Sequence, residues 1–255
     1  MLIDLNGKIG LVVGIANEHS IAYGCARMFH QAKAELVITY LNEKAKPYVE
    51  PLAETLQSPL FLTCDVQKKD ELATVFNRIH QKWGKLDFML HSIAYCPKTD
   101  LQDRVVDCSR EGFLEAMDIS CHSLIQMAKL AEPLMKQGGS ILTMSYYGSQ
   151  KVIENYNLMG IVKAALESTV RYLAYELGKD NIRVNAISPG PIKTRAASGI
   201  RNFYEYIEKQ EEKSPLHRLV DIESVGNLAA FLVSNAAQDI TGQVHYIDTG
   251  YSIMD

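Results

Sequence analysis

Tyr156 and Lys163 are the residues of this chain whose types and spacing could most directly do chemistry. They lie seven positions apart in the run 145–163, SYYGSQKVIENYNLMGIVK. Seven positions on an α-helix are nearly two turns, so a helix here predicts both side chains on one face. An ammonium beside a phenol favours the phenolate and predicts a tyrosine pKa below its ordinary value of about 10. Such a tyrosine can give a proton, or a strong hydrogen bond, to a carbonyl oxygen that is gaining negative charge. Tyr146 lies ten residues earlier, just after the apolar run 140–144, which reads as a strand. A strand end followed by a helix start can bring both tyrosines to one cleft. Taken alone, the spacing is also what ordinary half-buried tyrosines would give in a chain that has 13 of them. The elements around the pair must decide.

Those elements alternate. The run 8–14 (KIGLVVG) is apolar, ends in Gly14 and reads as a strand buried on both faces. Ser20 is placed to cap the next helix, with Ile21, Ala22 and Cys25 on one side. Strand, glycine turn and helix together offer backbone N–H groups and a positive helix end to a phosphate. A plain βα turn reads the same way, because the G-x-G-x-x-G fingerprint is missing. A second strand, 35–40, ends at Tyr40-Leu41-Asn42-Glu43. In a dinucleotide fold this strand end meets the adenosine ribose, where an acid selects NAD and an Arg admits NADP. No Arg or Lys precedes Lys44, which favours NADH over NADPH. The segment 44–56 has a helical pattern broken early by Pro47 and Pro51. After a third strand, 60–66, Asp65 could accept from an adenine amine, cap the helix that follows, or do both. A fourth strand, 86–92, runs into the loop Ile93-Ala94-Tyr95-Cys96-Pro97, at the end of a strand where open α/β sheets bind ligands. His91, within this strand, reads as a core histidine. The segment 99–109 looks irregular, 111–136 reads as one long helix, 138–144 as the fifth strand, 156–177 as the helix of the Tyr/Lys pair and 183–188 as the sixth strand. A proline- and glycine-rich break then leads to a segment, 192–213, suited to a mobile lid. A helix over 222–234 and a last strand over 242–247 follow. This alternation predicts α/β architecture: a single doubly wound parallel sheet with helices on both faces, one domain over 1–255.

Composition narrows the function classes. A net charge of −4 gives no reason to expect nucleic acid or an anionic membrane surface as partner. No apolar run approaches the ~20 residues that span a bilayer, so membrane insertion is not expected. The first residues carry an acid and no basic n-region, unlike a secretory signal. Five cysteines without C-x-x-C point to reduced thiols in a cytoplasmic protein rather than a disulfide scaffold or a metal site.

Together these pieces resemble the short-chain dehydrogenase/reductase superfamily over essentially the whole chain. Its common Tyr-x3-Lys would need a lysine at position 160, which is Gly160 here. The wider Tyr-x6-Lys, from Tyr156 to Lys163, resembles the enoyl-acyl-carrier-protein reductases. The loop Gly14-Ile15-Ala16, then Ser20 to Gly24, His91 to Ala94, Asn155-Tyr156-Asn157, Arg183 to Ser188 and Gly190-Pro191-Ile192 with Thr194 agree in order and spacing. The resemblance implies a Rossmann-type oxidoreductase of fatty acid biosynthesis that reduces a trans-2-enoyl thioester on acyl carrier protein with NADH. It implies that Tyr156 stabilises the enolate, that Lys163 holds the nicotinamide ribose, and that Tyr146 supports substrate placement or proton delivery. It places the cofactor against Gly14, Ser20, Ile21, Leu41, Asp65, Val66, Ile93, Lys163 and the segment Ile192, Lys193, Thr194, Arg195 and Ala196. It places substrate near Cys96, Tyr146, Tyr156 and Met159, with no metal. A homotetramer built on the helices over 111–136 and 156–177 is also implied.

Two positions depart from the pattern. Leu41 stands where many relatives are polar at the adenosine ribose. After Gly199, where relatives show basic residues to the carrier, Arg201 is followed by Tyr204 and Glu205. Two other readings compete: a carbonyl-reducing short-chain dehydrogenase of ketoacyl reductase type, against which the wide spacing speaks, and a nucleotide-sensing module without turnover.

Overall fold

The computed structural model describes residues 3–194 and 203–254, with backbone alone for 203–206. Seven parallel strands form one sheet: β1 (Ile9–Val13), β2 (Glu35–Tyr40), β3 (Leu60–Thr63), β4 (Phe88–His91), β5 (Gly139–Met144), β6 (Ile182–Pro189) and β7 (Val244–Ile247). Their order is β3-β2-β1-β4-β5-β6-β7, so the winding reverses between β1 and β4. Ligands of such sheets bind at that reversal, beyond the carboxyl ends of the strands. The doubly wound sheet expected from the alternation is present.

Alternation along each strand divides the core in two. Val12, Leu36, Ile38, Phe88 and Leu90 pack on one face with α1 (Ile21–Gln31) and α9 (Ile222–Val233). Leu11, Val13, Val37, Met89 and Ile141 pack on the other with α3 (Lys69–Trp83). That face also carries α6 (Ser123–Ala131) and α7 (Leu158–Leu177). Both faces being covered is why the strands read as unbroken apolar runs. α1 and α9 pack closely because Gly24 meets Gly226: a Cβ on Gly24 would lie 2.3 Å from the Ile222 carbonyl oxygen.

Several expected helices differ. α2 (Lys46–Thr55) accepts Pro47 in its first turn and keeps Pro51 inside, so neither proline ends it. The segment read as irregular contains α4 (Lys98–Gln102) and a 3-10 turn, Val105–Asp107. The long helix expected over 111–136 is divided into α5 (Arg110–Met117), a π-helical turn (Asp118–His122), α6 and a 3-10 turn (Glu132–Leu134). Serine side chains mark the division. The Ser120 hydroxyl accepts from Tyr95 N at 2.9 Å and donates to Tyr95 O at 3.0 Å, and Ser123 donates to Ile119 O at 2.6 Å. Such bonds accompany local departures from the i to i−4 ladder. α8 (Phe203–Lys213) forms the second half of the segment read as a lid.

The largest correction concerns the Tyr/Lys helix. α7 begins at Leu158, so Tyr156 precedes it. Asn155 (φ 63°) and Asn157 (φ 41°) flank Tyr156 in left-handed backbone, which Asn tolerates better than most residues. The one-face argument for a seven-residue helical spacing therefore does not hold. The tyrosine reaches the cleft from a turn and the lysine from the helix.

Candidate active site

A cleft of about 1350 Å³ runs along the carboxyl edge of the sheet. Gly14, Leu41, Asp65, Val66, Ile93, Pro189 and Gly190, all at or just beyond strand ends, line it, as do Ser20 and Ile21 at the start of α1. Of the residues expected there, Ile192 and Thr194 line it too, while Lys193 between them is exposed and does not. Arg195 and Ala196, and with them residues 195–202 of the expected lid, lie outside the described residues. Thr39, Lys44 and Tyr48 line the end beside β2, and Leu101, Glu115 and Ile119 the other. Sequence reasoning missed most of these because their contact depends on how α2, α4, α5 and the π-helical turn fold back over the strand ends. Lys44 alone carried a signal, being the first cation after β2.

The glycine turn fits a dinucleotide. Gly14 has φ 118°, and a Cβ there would lie 2.0 Å from the Ser92 carbonyl oxygen, so β1 can turn at this point only without a side chain. Ser20 occupies the N-cap position of α1, but its hydroxyl does not cap the helix. It accepts instead from Ala16 N and Asn17 N, both at 3.0 Å, and so holds the loop closed in front of α1. The first turn of α1 is left without a side-chain cap beside the cleft, which is the arrangement that receives a pyrophosphate. Asp65 lines the cleft but is not the cap of α3, a position taken by Lys68. Its Oδ1 accepts from Gln67 N at 3.1 Å.

At the other end of the cleft Tyr146, Tyr156, Met159, Lys163 and Cys96 come together. The Tyr146 and Tyr156 rings meet edge-on, centroids 4.9 Å apart at 66°. Gly148 and Gly160 make room for Tyr156. A Cβ on Gly148 would come within 2.5 Å of the Tyr156 ring, and one on Gly160 within 2.8 Å of the Gly148 carbonyl oxygen. Position 160 therefore has no room for a lysine, and the short Tyr-x3-Lys spacing is sterically closed to this chain. Lys163 is buried and donates to Met144 O at 2.6 Å, at the end of β5. Burial brings its pKa down to about 8, against the opposing pull of Cys121 and Glu167.

His91 is the core residue its strand position suggested. It is buried, with Nδ1 2.9 Å from Thr143 Oγ1 and Nε2 2.8 Å from Ser123 Oγ. Burial first, and then the charge of Lys163, drive its pKa to about 3. The folded chain thus holds His91 neutral while the unfolded chain binds a proton below about pH 6.5. Stability should fall as pH drops from about 6.5 towards 3, by up to about 1.4 kcal/mol per pH unit from this group. Urea titrations across that range check this. His91→Gln, compared with the native chain, should flatten the dependence; an unchanged slope would place its source elsewhere.

Cysteines contribute little to the chemistry. All five are free. Cys96 borders the cleft, but burial raises its thiol to about 11, and Cys64 is pushed up to about 12. Neither is a ready thiolate nucleophile. Among the described residues no group of three or more His, Cys, Asp or Glu could hold a metal ion, and no helix is long and apolar enough to cross a membrane.

A doubly wound sheet with a dinucleotide turn at one end of its cleft and a Tyr/Lys pair at the other defines a nucleotide-dependent reductase of the short-chain class. Comparison with known proteins narrows this. Residues 14–252 match the family profile described as enoyl-(acyl carrier protein) reductase. The chain is 48% identical to enoyl-[acyl-carrier-protein] reductase [NADH] FabI of a Nostoc species, covering 99% of each. It is 47% identical to enoyl-[acyl-carrier-protein] reductase [NADH] 1 of Rhizobium meliloti, covering 97% of this chain and 91% of the relative. Among solved structures, the Anaplasma phagocytophilum reductase in complex with NAD superposes with a TM-score of 0.94 at 45% identity, covering 99% of this chain and 96% of that one. The Bacillus cereus enzyme with NADP+ and an indole naphthyridinone gives 0.96 at 45% identity and 98% coverage of both. The chain belongs to the enoyl-acyl-carrier-protein reductase family.

Proposed function

We propose that Tyr156, Lys163 and Tyr146 carry the reaction of this family in the cleft described above. The chain reduces the carbon–carbon double bond of trans-2-enoyl-acyl-carrier-protein with NADH, a step of bacterial fatty-acid elongation. The observation that carries the assignment is the Tyr146–Tyr156 ring pair sharing one end of the cleft with buried Lys163, while the phosphate-binding turn occupies the other.

NADH, when bound, supplies a hydride to the β-carbon of the enoyl thioester. The pair of electrons displaced from the double bond then moves to the thioester oxygen as an enolate. Tyr156 donates a hydrogen bond to that oxygen, where charge develops, and so acts mainly on the transition state. The enolate collapses as its α-carbon takes a proton from solvent, delivered past Tyr146, giving the saturated thioester. Lys163 in its ammonium form holds the nicotinamide ribose hydroxyls and keeps the potential around the tyrosine positive. Tyr146 fixes the Tyr156 ring from the side and lines the acyl path with Met159 and the backbone at Cys96. Gly14, Ser20 and Ile21 hold the pyrophosphate, and Leu41, Asp65 and Val66 the adenosine. Ile93, Ile192, Thr194 and the residues after them enclose the nicotinamide, with the segment to about 213 as lid.

Acyl carrier protein is the macromolecular partner. Arg201 lies outside the described residues and the side chains of Tyr204 and Glu205 are not described, so the docking surface is proposed from sequence alone. A homotetramer is supported by apolar residues standing exposed on α6 and α7, among them Ile125, Ile161, Tyr172 and Tyr175. A cytoplasmic location agrees with five free cysteines. The carbonyl-reducing alternative is disfavoured by the closed position 160.

Cofactor choice is set at the end of β2, where the Leu41 side chain offers the ribose no hydrogen bond and Lys44 also lines the cleft. Crotonyl thioester should drive rapid oxidation of NADH, with kcat/KM at least about tenfold above that for NADPH, a difference of roughly 1.4 kcal/mol. Faster oxidation of NADPH would keep the reaction and overturn the preference, with Lys44 then recognising the 2′-phosphate.

A further inference from the structure

Glu167 is a buried acid beside the site that the mechanism above leaves without a role. It lies one turn beyond Lys163 on α7 and is 4% exposed. Two serine hydroxyls donate to the same oxygen, Oε1: Ser145 at 2.5 Å and Ser149 at 2.6 Å. These serines bracket the segment 146–148, which carries Tyr146 and Gly148. The Tyr146 ring rests edge-on against Tyr156, and Gly148 faces the other part of the same ring so closely that a Cβ would not fit. Lys163, one turn back, donates to the carbonyl of Met144, the residue before Ser145. The acid and the base of one helix face therefore grip the end of β5 and the loop beyond it at three places.

An ordinary i, i+4 pair of this kind sits on a solvated helix surface and contributes little. Here both members are buried, and the carboxylate takes two hydroxyl donors from the loop that forms the tyrosine's seat. Burying a carboxylate is costly unless it is paired and hydrogen-bonded. Apolar residues at 145, 149 and 167 would close the same space without that cost, so the arrangement points to a task.

We propose that Glu167 is a positioning residue for the reductive site: it pins the segment 145–149 through Ser145 and Ser149 and serves as counter-ion to Lys163. This rests on the assignment of Tyr156 and Lys163 to the reaction. The first arm fixes where the Tyr156 hydroxyl points. The second keeps the lysine charged despite its burial. The titratable groups around Lys163 are Glu167 on its own helix, Cys121 from the π-helical turn and His91 from β4, with Tyr156 across the cleft. His91 is neutral throughout the working range, and Glu167 is the carboxylate of this set. Around Glu167 stand Lys163, the two serines and, from β7, Tyr246.

The two arms separate by mutation, with kcat/KM for crotonyl thioester and NADH measured against pH in the intact chain. Glu167→Gln keeps the shape and an acceptor oxygen but drops the charge. Its alkaline limb should move to lower pH by on the order of one unit, so its deficit against the native chain grows towards about tenfold between about pH 7 and pH 9. The double variant Ser145→Ala, Ser149→Ala keeps the charge and loses the pin. Its kcat should fall by about tenfold at every pH, with the limb in place. Thermal melts of each variant show that the assay reads folded protein. A native limb in Glu167→Gln, or native kcat in the double serine variant, overturns the proposal. Tyr156→Phe run alongside keeps the two levels apart: normal turnover in that variant would remove the catalytic assignment itself, whereas its failure beside unaffected Glu167 and serine variants would remove only the role of Glu167.

Discussion

Tyr156→Phe should lower kcat for an enoyl thioester by about 10²–10³-fold while the dissociation constant for NADH stays within about twofold. The phenol hydroxyl meets charge that exists only as the double bond gives up its electrons, so its removal raises the transition state and spares the bound ground state. The ring itself is retained by phenylalanine. It is this ring that packs against Gly148 and meets Tyr146 edge-on at 4.9 Å, so folding and cleft shape should survive. Stopped-flow turnover with fluorescence titration of NADH checks both halves. Equal losses in turnover and in NADH affinity would mean that Tyr156 is a cofactor-binding residue and that another donor meets the enolate.

Lys163→Met should act the other way round, raising the NADH dissociation constant by about 10- to 100-fold. A hydrogen bond from a charged donor is worth roughly 1.5–3 kcal/mol, and methionine removes it while keeping an unbranched side chain of similar length. The variant also leaves Met144 O without its 2.6 Å donor, so some loosening at the end of β5 adds to the loss. The charge gives a second readout. Lys163 is an ammonium below about pH 8 and loses its proton above it. Native kcat/KM should therefore fall as pH rises through about 8, and that limb should vanish in Lys163→Met. NADH affinity unchanged in the variant, or a limb that persists, would exclude Lys163 from the ribose.

Much of this architecture was legible because parallel strands buried on both faces leave unbroken apolar runs. The second strand was read over the same residues that form it, the sixth is one residue longer at each end than read, and the others are shorter by one to three residues. The cleft residues at strand ends, Gly14, Asp65 and Ile93 among them, were legible for the same reason: strand ends in such sheets face ligands. The route by which Tyr156 arrives was not legible. Asn155 and Asn157 enter left-handed backbone, and the turn they flank sets the Tyr156 ring against Gly148. A pattern of spacing cannot see it, and a helix begun two residues early gives the same pair for a different reason. The π-helical turn at 118–122 was hidden likewise, since its serines bond to partners such as Tyr95 and His91 that the sequence holds far away. Ser20 reads as a cap by type and position, yet its hydroxyl serves the loop before the helix. Glu167 carried no signal, because its burial and its two serine partners appear only once the chain is folded.

The most direct test of the central claim offers the chain crotonyl thioester and acetoacetyl thioester in separate reactions with NADH, follows the nicotinamide absorbance, and identifies the acyl products. Reduction of the carbon–carbon double bond to the saturated butyryl thioester, with the keto substrate left intact, is the predicted result. Formation of the hydroxyacyl thioester from acetoacetyl thioester, with crotonyl thioester untouched, would contradict it and make the Tyr156–Lys163 cleft a carbonyl-reducing site.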